Sequence, residues 1–231
     1  MGSGGMFFRK GRERRIAAAI RKRAQAALAA SVSKGGAGPP IPIDIGPYRG
    51  WSIHQIEERL RTLDHEEIFF FNRRGEVVAA YRGAEGGVGW PPWLLGMSGG
   101  TVSHGHPKRD GDFGGTLSIL DTKNMLRSSW AQHRAVASGQ GELNYILRRG
   151  RGARPKAFLA QLIRDEKQLK ADMESTARKA YDEERASGKP RSSALHIALQ
   201  KGVGKLHAWY KENAPKYGYE YVVRKKPYEH R

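Results

Sequence analysis

The sequence predicts an α+β fold, with a central group of strands and helices between a basic helical arm and a C-terminal helical pair. Two observations support this class. Short apolar runs bounded by turn residues are typical of strands, and they recur between residues 68 and 147. Longer segments with apolar residues at helical spacing lie on both sides of that region. We therefore divide the chain into residues 1–50, 51–150 and 151–231.

Residues 1–50 are predicted to form a basic arm and a linker. Met6 to about Ser33 is rich in alanine and basic residues, which favours a helix, but its apolar stripe is too thin to form a core. Lys34 to Gly50 contains four prolines, which hold a chain extended. We therefore expect residues 1 to about 50 to pack separately from the rest of the chain.

The central segment is predicted to contain a helix, a hairpin, a third strand, a second helix and two further strands. Ser52 and Gln55 form a capping-box pattern, which places the start of the first helix at Ser52. The turn at Asn72–Gly75 separates the two strands of the hairpin. Apolar spacing and turn residues set the other bounds: strands at Ile68–Phe71, Glu76–Tyr81, Gly99–Ser103, Arg134–Ala137 and Leu143–Leu147, and a helix from Ile119 to about Gln132.

Residues 151–231 are predicted to form two helices and a terminal strand. Helical spacing of apolar residues runs from Pro155 to Ala186, and Gly188–Pro190 ends that helix. A second helix runs from Ser192 to about Glu212, and Tyr217–Val223 has the composition of a strand that joins a sheet edge. We expect this part to be a helical extension of the central domain.

The most informative motif joins two histidines to a downstream serine and aspartate. His104 and His106 are one residue apart, so on a strand their side chains point to the same face. Ser118 can cap a helix that begins near Ile119 and carries Asp121 in its first turn. Two imidazoles and a carboxylate suit a catalytic zinc ion, which keeps its fourth position open for water. We therefore predict one Zn²⁺ per chain, bound by His104, His106 and Asp121.

Together with Pro107, these residues match the His-x-His-Pro and Ser-x-x-Asp parts of a known signature. In them the chain resembles the JAB/MPN (JAMM) metalloprotease superfamily, and most of all RadC-type domains and the C-terminal domains of phage minor head (head-morphogenesis) proteins. The likeness covers roughly Asp64 to Arg149. It implies a mixed sheet with flanking helices, the three metal ligands named above, and a role for Ser118 in orienting a bound water or an oxyanion. The spacer of eleven residues between the histidines and the serine is longer than the family usually has.

The superfamily also has a glutamate on an early strand that serves as general base, and this sequence offers three positions for it. Glu67 and Glu66 stand just before the strand at Ile68 and match the position best, with Glu67 preferred. Glu76, at the start of the return strand, is the third. Strand-end carboxylates are commonly solvated and without a catalytic role, and that interpretation stays open for all three.

The net charge of +18 indicates a polyanionic partner, most often nucleic acid. The basic residues cluster in tails and joints, which favours contact with phosphates without base reading. A general basic bias that serves solubility is the competing explanation, and an acidic portal or capsid surface is the competing partner. The candidate nucleic-acid contacts are Arg9, Lys10, Arg12, Arg14, Arg15, Arg21, Lys22, Arg23, Arg148, Arg149, Arg151 and Arg154.

Composition excludes several other classes. No apolar run reaches the length of about eighteen residues that a membrane span needs, and Ile16–Ile20 is too short for the apolar part of a secretory signal. The absence of cysteine excludes disulfides and thiolate metal sites. We expect a protein of the host cytoplasm or the virion, without a signal peptide or a membrane span.

Two functions follow from the motif, the resemblance and the charge. The first is a phage-type, head-associated protein with a JAB-like zinc hydrolase domain that cleaves peptide or isopeptide bonds. The second is a non-enzymatic component that binds DNA or a portal or capsid surface, in which the JAB-like site is inactive. A metal-dependent nuclease or toxin effector is the third alternative.

Overall fold

The computed structural model describes residues 40–83, 98–106, 117–137 and 144–224. The strands in these ranges are β1 (Ile41–Pro42), β2 (Glu67–Phe71), β3 (Val77–Arg82), β4 (Thr101–His106), β5 (Gln132–Ala137), β6 (Asn144–Arg149) and β7 (Tyr219–Arg224). The α-helices are α1 (Ile53–Arg61), α2 (Ile119–Arg127), α3 (Pro155–Ala186) and α4 (Arg191–Asn213), and short 3₁₀ turns lie at Gly46–Tyr48 and Pro215–Tyr217. The predicted α+β class is confirmed.

The strands form one mixed sheet in the order β1-β3-β2-β4-β5-β6-β7. Neighbouring strands are antiparallel except β4 and β5, which are parallel. A parallel pair needs a crossover connection, and α2 lies in the connection between these two strands. The crossover brings the start of α2 to the end of β4, so that two short segments can supply side chains to one site.

One face of the sheet packs against α2, α3 and α4. The apolar side chains of this core come from the sheet and from all three helices: Ile68, Phe70, Val102, Leu147, Met125, Phe158, Leu162, Leu206 and Tyr210. Tyr219 of β7 belongs to the same core, and β7 pairs with β6 along its whole length. The residues from 151 to 224 therefore share the core of the central domain.

The other face packs against α1 and the segment that precedes it. Ile56 and Leu60 of α1 are fully buried against Phe69 and Phe71 of β2. The capping box predicted for this helix is present, with Ser52 and Gln55 bonded to each other's backbone.

The linker predicted up to Gly50 ends earlier in the structure. Ile41 and Pro42 pair with β3, and three apolar side chains that follow them pack on the α1 core: Ile43, Ile45 and Tyr48. Prolines favour extended chain and are tolerated on edge strands. The extended segment therefore becomes the edge of the sheet, and residues 41–50 belong to the folded domain.

α2 is shorter than predicted, because it ends at Arg127 instead of near Gln132. The Ser128 hydroxyl donates to the carbonyl oxygen of Met125, and the Arg149 side chain of β6 donates to the carbonyl oxygen of Ser128 at 2.6 Å. These donors satisfy carbonyl groups that a helix end leaves open. The chain then enters β5 past Trp130, which is almost fully buried.

α3 and α4 form a helical hairpin with a second small core at its far end. The helices approach closely at Gly202, where an added Cβ would lie 2.9 Å from the carbonyl oxygen of Met173. No helix within the described ranges is both long and apolar enough to cross a bilayer.

Several sequence predictions lie outside the described residues. They concern the helix from Met6 to Ser33, its basic residues from Arg9 to Arg23, and Pro107 of the histidine motif.

Candidate metal centre

β4 and α2 bring His104, His106 and Asp121 together. One donor atom from each side chain lies within 4.8 Å of the other two. The Nε2 atoms of His104 and His106 are 3.4 Å and 3.9 Å from Asp121 Oδ2, and 2.6 Å from each other. Donors bound to one tetrahedral zinc ion at about 2.0–2.1 Å lie roughly 3.3 Å apart, so the two histidine–carboxylate separations are near this spacing. The cluster could hold a metal ion.

Hydrogen bonding behind His104 sets which ring nitrogen carries the proton. His104 is buried, and its Nδ1 lies 3.1 Å from the carbonyl oxygen of Arg134. A carbonyl oxygen only accepts hydrogen bonds, so Nδ1 carries the proton in the neutral ring. Nε2 then keeps its lone pair and faces His106 and Asp121, as a metal ligand requires.

His133 of β5 is a further histidine at this site that sequence reasoning missed. It is fully buried, with Nδ1 3.1 Å from the backbone oxygen of Asp121 and Nε2 3.1 Å from Nδ1 of His104. Burial, and next the neighbouring His104, lowers the pKa of His133 to about 3, so the ring is neutral. The sequence signal was weak: strand alternation places His133 on the same face as Ala135, but no spacing motif links it to the other ligands.

Ser118 and Asp121 form a reciprocal cap at the start of α2. The backbone N–H of Ser118 donates to Asp121 Oδ2 at 2.9 Å, and the backbone N–H of Asp121 donates to Ser118 Oγ at 3.0 Å. Burial raises the pKa of Asp121, but the charge of His104 and its hydrogen bond outweigh burial and hold this pKa well below its usual range. Asp121 is therefore held as a carboxylate. The observed contact of Ser118 is with this ligand, and its predicted role toward water or an oxyanion stays a prediction.

The alternation of β2 decides which glutamate faces the centre. Ile68 pairs with His104, and Glu66, two residues earlier, lies on the same face of the strand. Burial lowers the pKa of His104, but Asp121 and then Glu66 act in the opposite direction, and the net shift is upward. Glu66 therefore lies on the side of the metal centre. Glu76 is exposed at the turn beyond the other end of β2, so the structure does not support it as the base.

The preference for Glu67 is not supported either, because its side chain lies on the opposite face of the sheet. This carboxylate is fully buried and contacts two arginines and a histidine. Its Oε1 is 3.2 Å from Arg82 Nη2 and 3.0 Å from His65 Nε2, and its Oε2 is 2.9 Å from Arg59 Nη2. Glu67 is thus a structural ion-pair partner between α1 and β3.

The basic joint after β6 is partly structural. The structure describes four of the arginines predicted to contact nucleic acid: Arg148, Arg149, Arg151 and Arg154. Arg149 donates to the carbonyl of Ser128, and Arg154 donates to the carbonyl oxygen of Lys216 at 2.6 Å. Arg151 is exposed. The segment between β6 and α3 is therefore a short turn, and two of its arginines hold that turn in place.

Comparisons with protein-family models, curated proteins and solved structures give no match. The fold and site define an α+β protein with a candidate metal centre between a strand and a crossover helix. Functional assignment therefore rests on the chemistry of that centre.

Proposed function

We propose that this protein is a zinc-dependent hydrolase that cleaves amide bonds of the peptide or isopeptide type. The observation that carries the proposal is the convergence of His104, His106 and Asp121, with Glu66 on the same face of the sheet. Two nitrogen donors and one carboxylate, without thiolates, are a donor set typical of catalytic zinc sites. The resemblance to the JAB/MPN superfamily in the same residues supports the same chemistry.

A bound zinc ion would supply a Lewis acid and would lower the pKa of a water molecule in its open position. Ser118 fixes the Oδ2 atom of Asp121 through a backbone N–H at 2.9 Å. His104 presents Nε2 because Arg134 accepts from its other nitrogen. Glu66 is the group that we assign to accept a proton from the attacking water and to return it to the leaving amine.

The setting that we propose is a phage-type, head-associated protein. Its support is the resemblance to phage minor head domains and the net charge of +18. A non-enzymatic component that binds DNA or a portal or capsid surface is the main alternative, and a metal-dependent nuclease or toxin effector is the other. Fold alone does not decide between a working and an inactive site.

Metal content tests the proposal most directly. After loading with zinc and desalting, we expect about one ion per chain by mass spectrometry of the metal, as three protein ligands at one centre predict. His106→Ala should lose this ion, and His196→Ala, on α4 outside the cluster, is the matched control. Hydrolysis of a mixed library of fluorogenic peptides and lysine isopeptides should be lost in the same variant. A folded chain that retains no divalent ion would overturn the proposal.

A further inference from the structure

The sheet face opposite the metal centre contains a cleft. α1 packs mainly on β2, β4 and β5, and its N-terminal end lies over the middle of the sheet. Beyond the start of α1, the same face remains open over β6 and β7 and forms a cavity of about 630 Å³.

The lining of this α1-face cleft is basic. Four arginines, one histidine and one acidic residue supply its ionisable side chains: Arg74, Arg134, Arg148, Arg224, His54 and Glu76. The arginines come from the β2–β3 turn, β5, β6 and β7. Strand pairing brings the last three to one face, because Gln132 of β5 is opposite Arg148 and Asn144 of β6 is opposite Arg224.

Two of these arginines have acidic partners. Arg134 donates to both carboxylate oxygens of Glu57, at 2.5 Å and 3.0 Å, and Glu57 is fully buried. Arg148 donates from Nη1 to Glu220 at 2.9 Å. The Nε of Arg148 is buried and has no hydrogen-bond partner among the described residues. A buried donor without an acceptor is costly, and the Arg148 side chain must turn toward the cleft before a bound oxyanion can supply the missing acceptor.

The other two arginines lie in exposed positions. Arg74 and Arg224 are both exposed, and neither has an acidic partner within the described ranges. The start of α1 at Ser52 also lines the cleft, and the positive end of a helix dipole favours an anion. Trp51 beside it offers an aromatic surface of the kind on which nucleobases stack.

We propose that the α1-face cleft binds the phosphodiester backbone of nucleic acid, at a second site independent of the metal centre. Guanidinium groups match phosphate oxygens in a bidentate geometry, which makes arginine the preferred phosphate ligand. Adjacent strands are about 4.8 Å apart and residues along a strand about 3.3 Å, so Arg148 and Arg224, on neighbouring strands and four residues apart in register, are about 14 Å apart. That span exceeds a single phosphate and suits a segment of backbone. The aromatic side chain of Trp51 in the lining favours nucleic acid over an acidic polypeptide.

Fluorescence anisotropy of the full chain with labelled dT20 and a 20-base-pair duplex tests this site. The double variant Arg74→Glu/Arg224→Glu should weaken binding by about tenfold or more, since two charge-assisted contacts are reversed. The slope of log affinity against log salt on dT20 should fall by about 1.4, because each lost phosphate contact contributes about 0.7 on single strands. Both residues are exposed, so we expect an unchanged melting temperature.

The matched control is Lys167→Glu/Lys179→Glu, which changes the net charge equally at exposed positions of α3. It should bind nearly as the wild type does. An equal loss in the control would show that binding follows net charge alone and that the cleft is not the site. Wild-type protein that binds polyglutamate as tightly as dT20 would overturn the nucleic-acid assignment. Zinc content should be the same in all variants, so this result is separable from a failure of the metal centre.

Discussion

Glu66 and Glu67 are neighbours in the chain, but their side chains lie on opposite faces of β2. Glu66 lies on the face of His104, whereas Glu67 neutralises Arg59 and Arg82 on the α1 face. One carboxylate is therefore assigned to chemistry and the other to stability, and the two assignments predict separable effects.

Replacing Glu66 by glutamine is expected to lower kcat by about 10²- to 10⁴-fold, the usual contribution of a general base, with bound zinc unchanged. Glu67→Gln is the matched control. It should reduce the free energy of unfolding by roughly 2–3 kcal/mol, because two cations lose their buried partner, and it should leave kcat intact. Steady-state kinetics and urea unfolding of both variants provide the measurements. Loss of turnover in a folded, zinc-loaded Glu67→Gln protein would reverse the assignment.

His207 of α4 is packed between two tyrosines. Its ring stacks on Tyr145 at a centroid distance of 4.9 Å, and its Nδ1 is hydrogen-bonded to the hydroxyl of Tyr221 at 2.5 Å. Burial, and next the charge of Lys211, lowers the pKa of His207 to about 4. The unfolded chain, with an ordinary pKa of about 6.5, binds a proton here that the folded protein excludes. Folding stability from this residue therefore falls as the pH drops from about 6.5 to 4.

We expect His207→Phe to be less sensitive to acid than the wild type. Up to about 3 kcal/mol of the acid-induced loss should disappear, since one pKa unit corresponds to about 1.36 kcal/mol. Urea unfolding at pH 7 and at pH 4.5 gives the comparison. Equal losses in the two proteins would mean that His207 titrates normally when folded.

At the scale of single residues, the sequence predicted the positions that follow from a local rule. Strand alternation and helix capping identified His104, His106 and Asp121, because both rules act over a few residues. The choice between Glu66 and Glu67 depends on how β2 pairs with β4, which is a non-local property. His133 is brought in by the parallel pairing of β5, which has no local signal.

Among the elements, α3 and α4 depend on a close approach at Gly202. A Cβ there would lie 2.9 Å from the carbonyl oxygen of Met173, whereas a Cβ at Gly204 would meet nothing within 4 Å. Gly202→Ala should therefore destabilise the protein by about 1–3 kcal/mol through overpacking. Gly204→Ala should stabilise it by about 0.5–1 kcal/mol through helix propensity. Chemical unfolding of both variants measures the pair, and equal stabilities would contradict the close helix contact.

Elements with their own start and stop signals were predictable. The bounds of α3 match the expected Pro155–Ala186, and α1 has the capping box read from Ser52 and Gln55. The end of α2 was not predictable, because Arg149 of a distant strand caps its last carbonyls. β1 was missed for a similar reason: its prolines indicate extended chain, but only β3 makes that chain a strand.

For the whole molecule, the position of the N-terminal boundary is testable by truncation. A chain that begins at residue 40 is expected to melt near the temperature of the full chain. A chain that begins at residue 51 also loses β1 and three packed side chains, Ile43, Ile45 and Tyr48. Full burial of an apolar side chain contributes about 1.5–3 kcal/mol, and these three are partly buried, so we expect a combined loss of roughly 3 kcal/mol. Calorimetry of both truncations provides the measurement. Equal melting temperatures would show that residues 40–50 belong to the separate arm and not to the folded domain.

The sequence pattern leaves open how the parts of the chain pack together, and the reason is physical. An apolar helix face shows that a helix packs against something, but not against what. Phe158 and Leu206 of the helical hairpin pack on the sheet, and Tyr219 of β7 joins them. The sequence pattern therefore predicted most of the elements but not the single core that they share.

The pairing of β6 with β7 has a consequence for the order of folding. Arg148 and Glu220, which face each other across these strands, are 72 positions apart in the chain. Closing so long a loop lowers the entropy of the chain before the contacts of the strand pair offset that loss. The α3–α4 hairpin forms from contacts nearer in sequence, and it shortens the loop once it has folded. We therefore expect the hairpin to form early and the outer strand to dock late. During synthesis on the ribosome, the edge of β6 stays open to wrong partners until residue 224 has emerged.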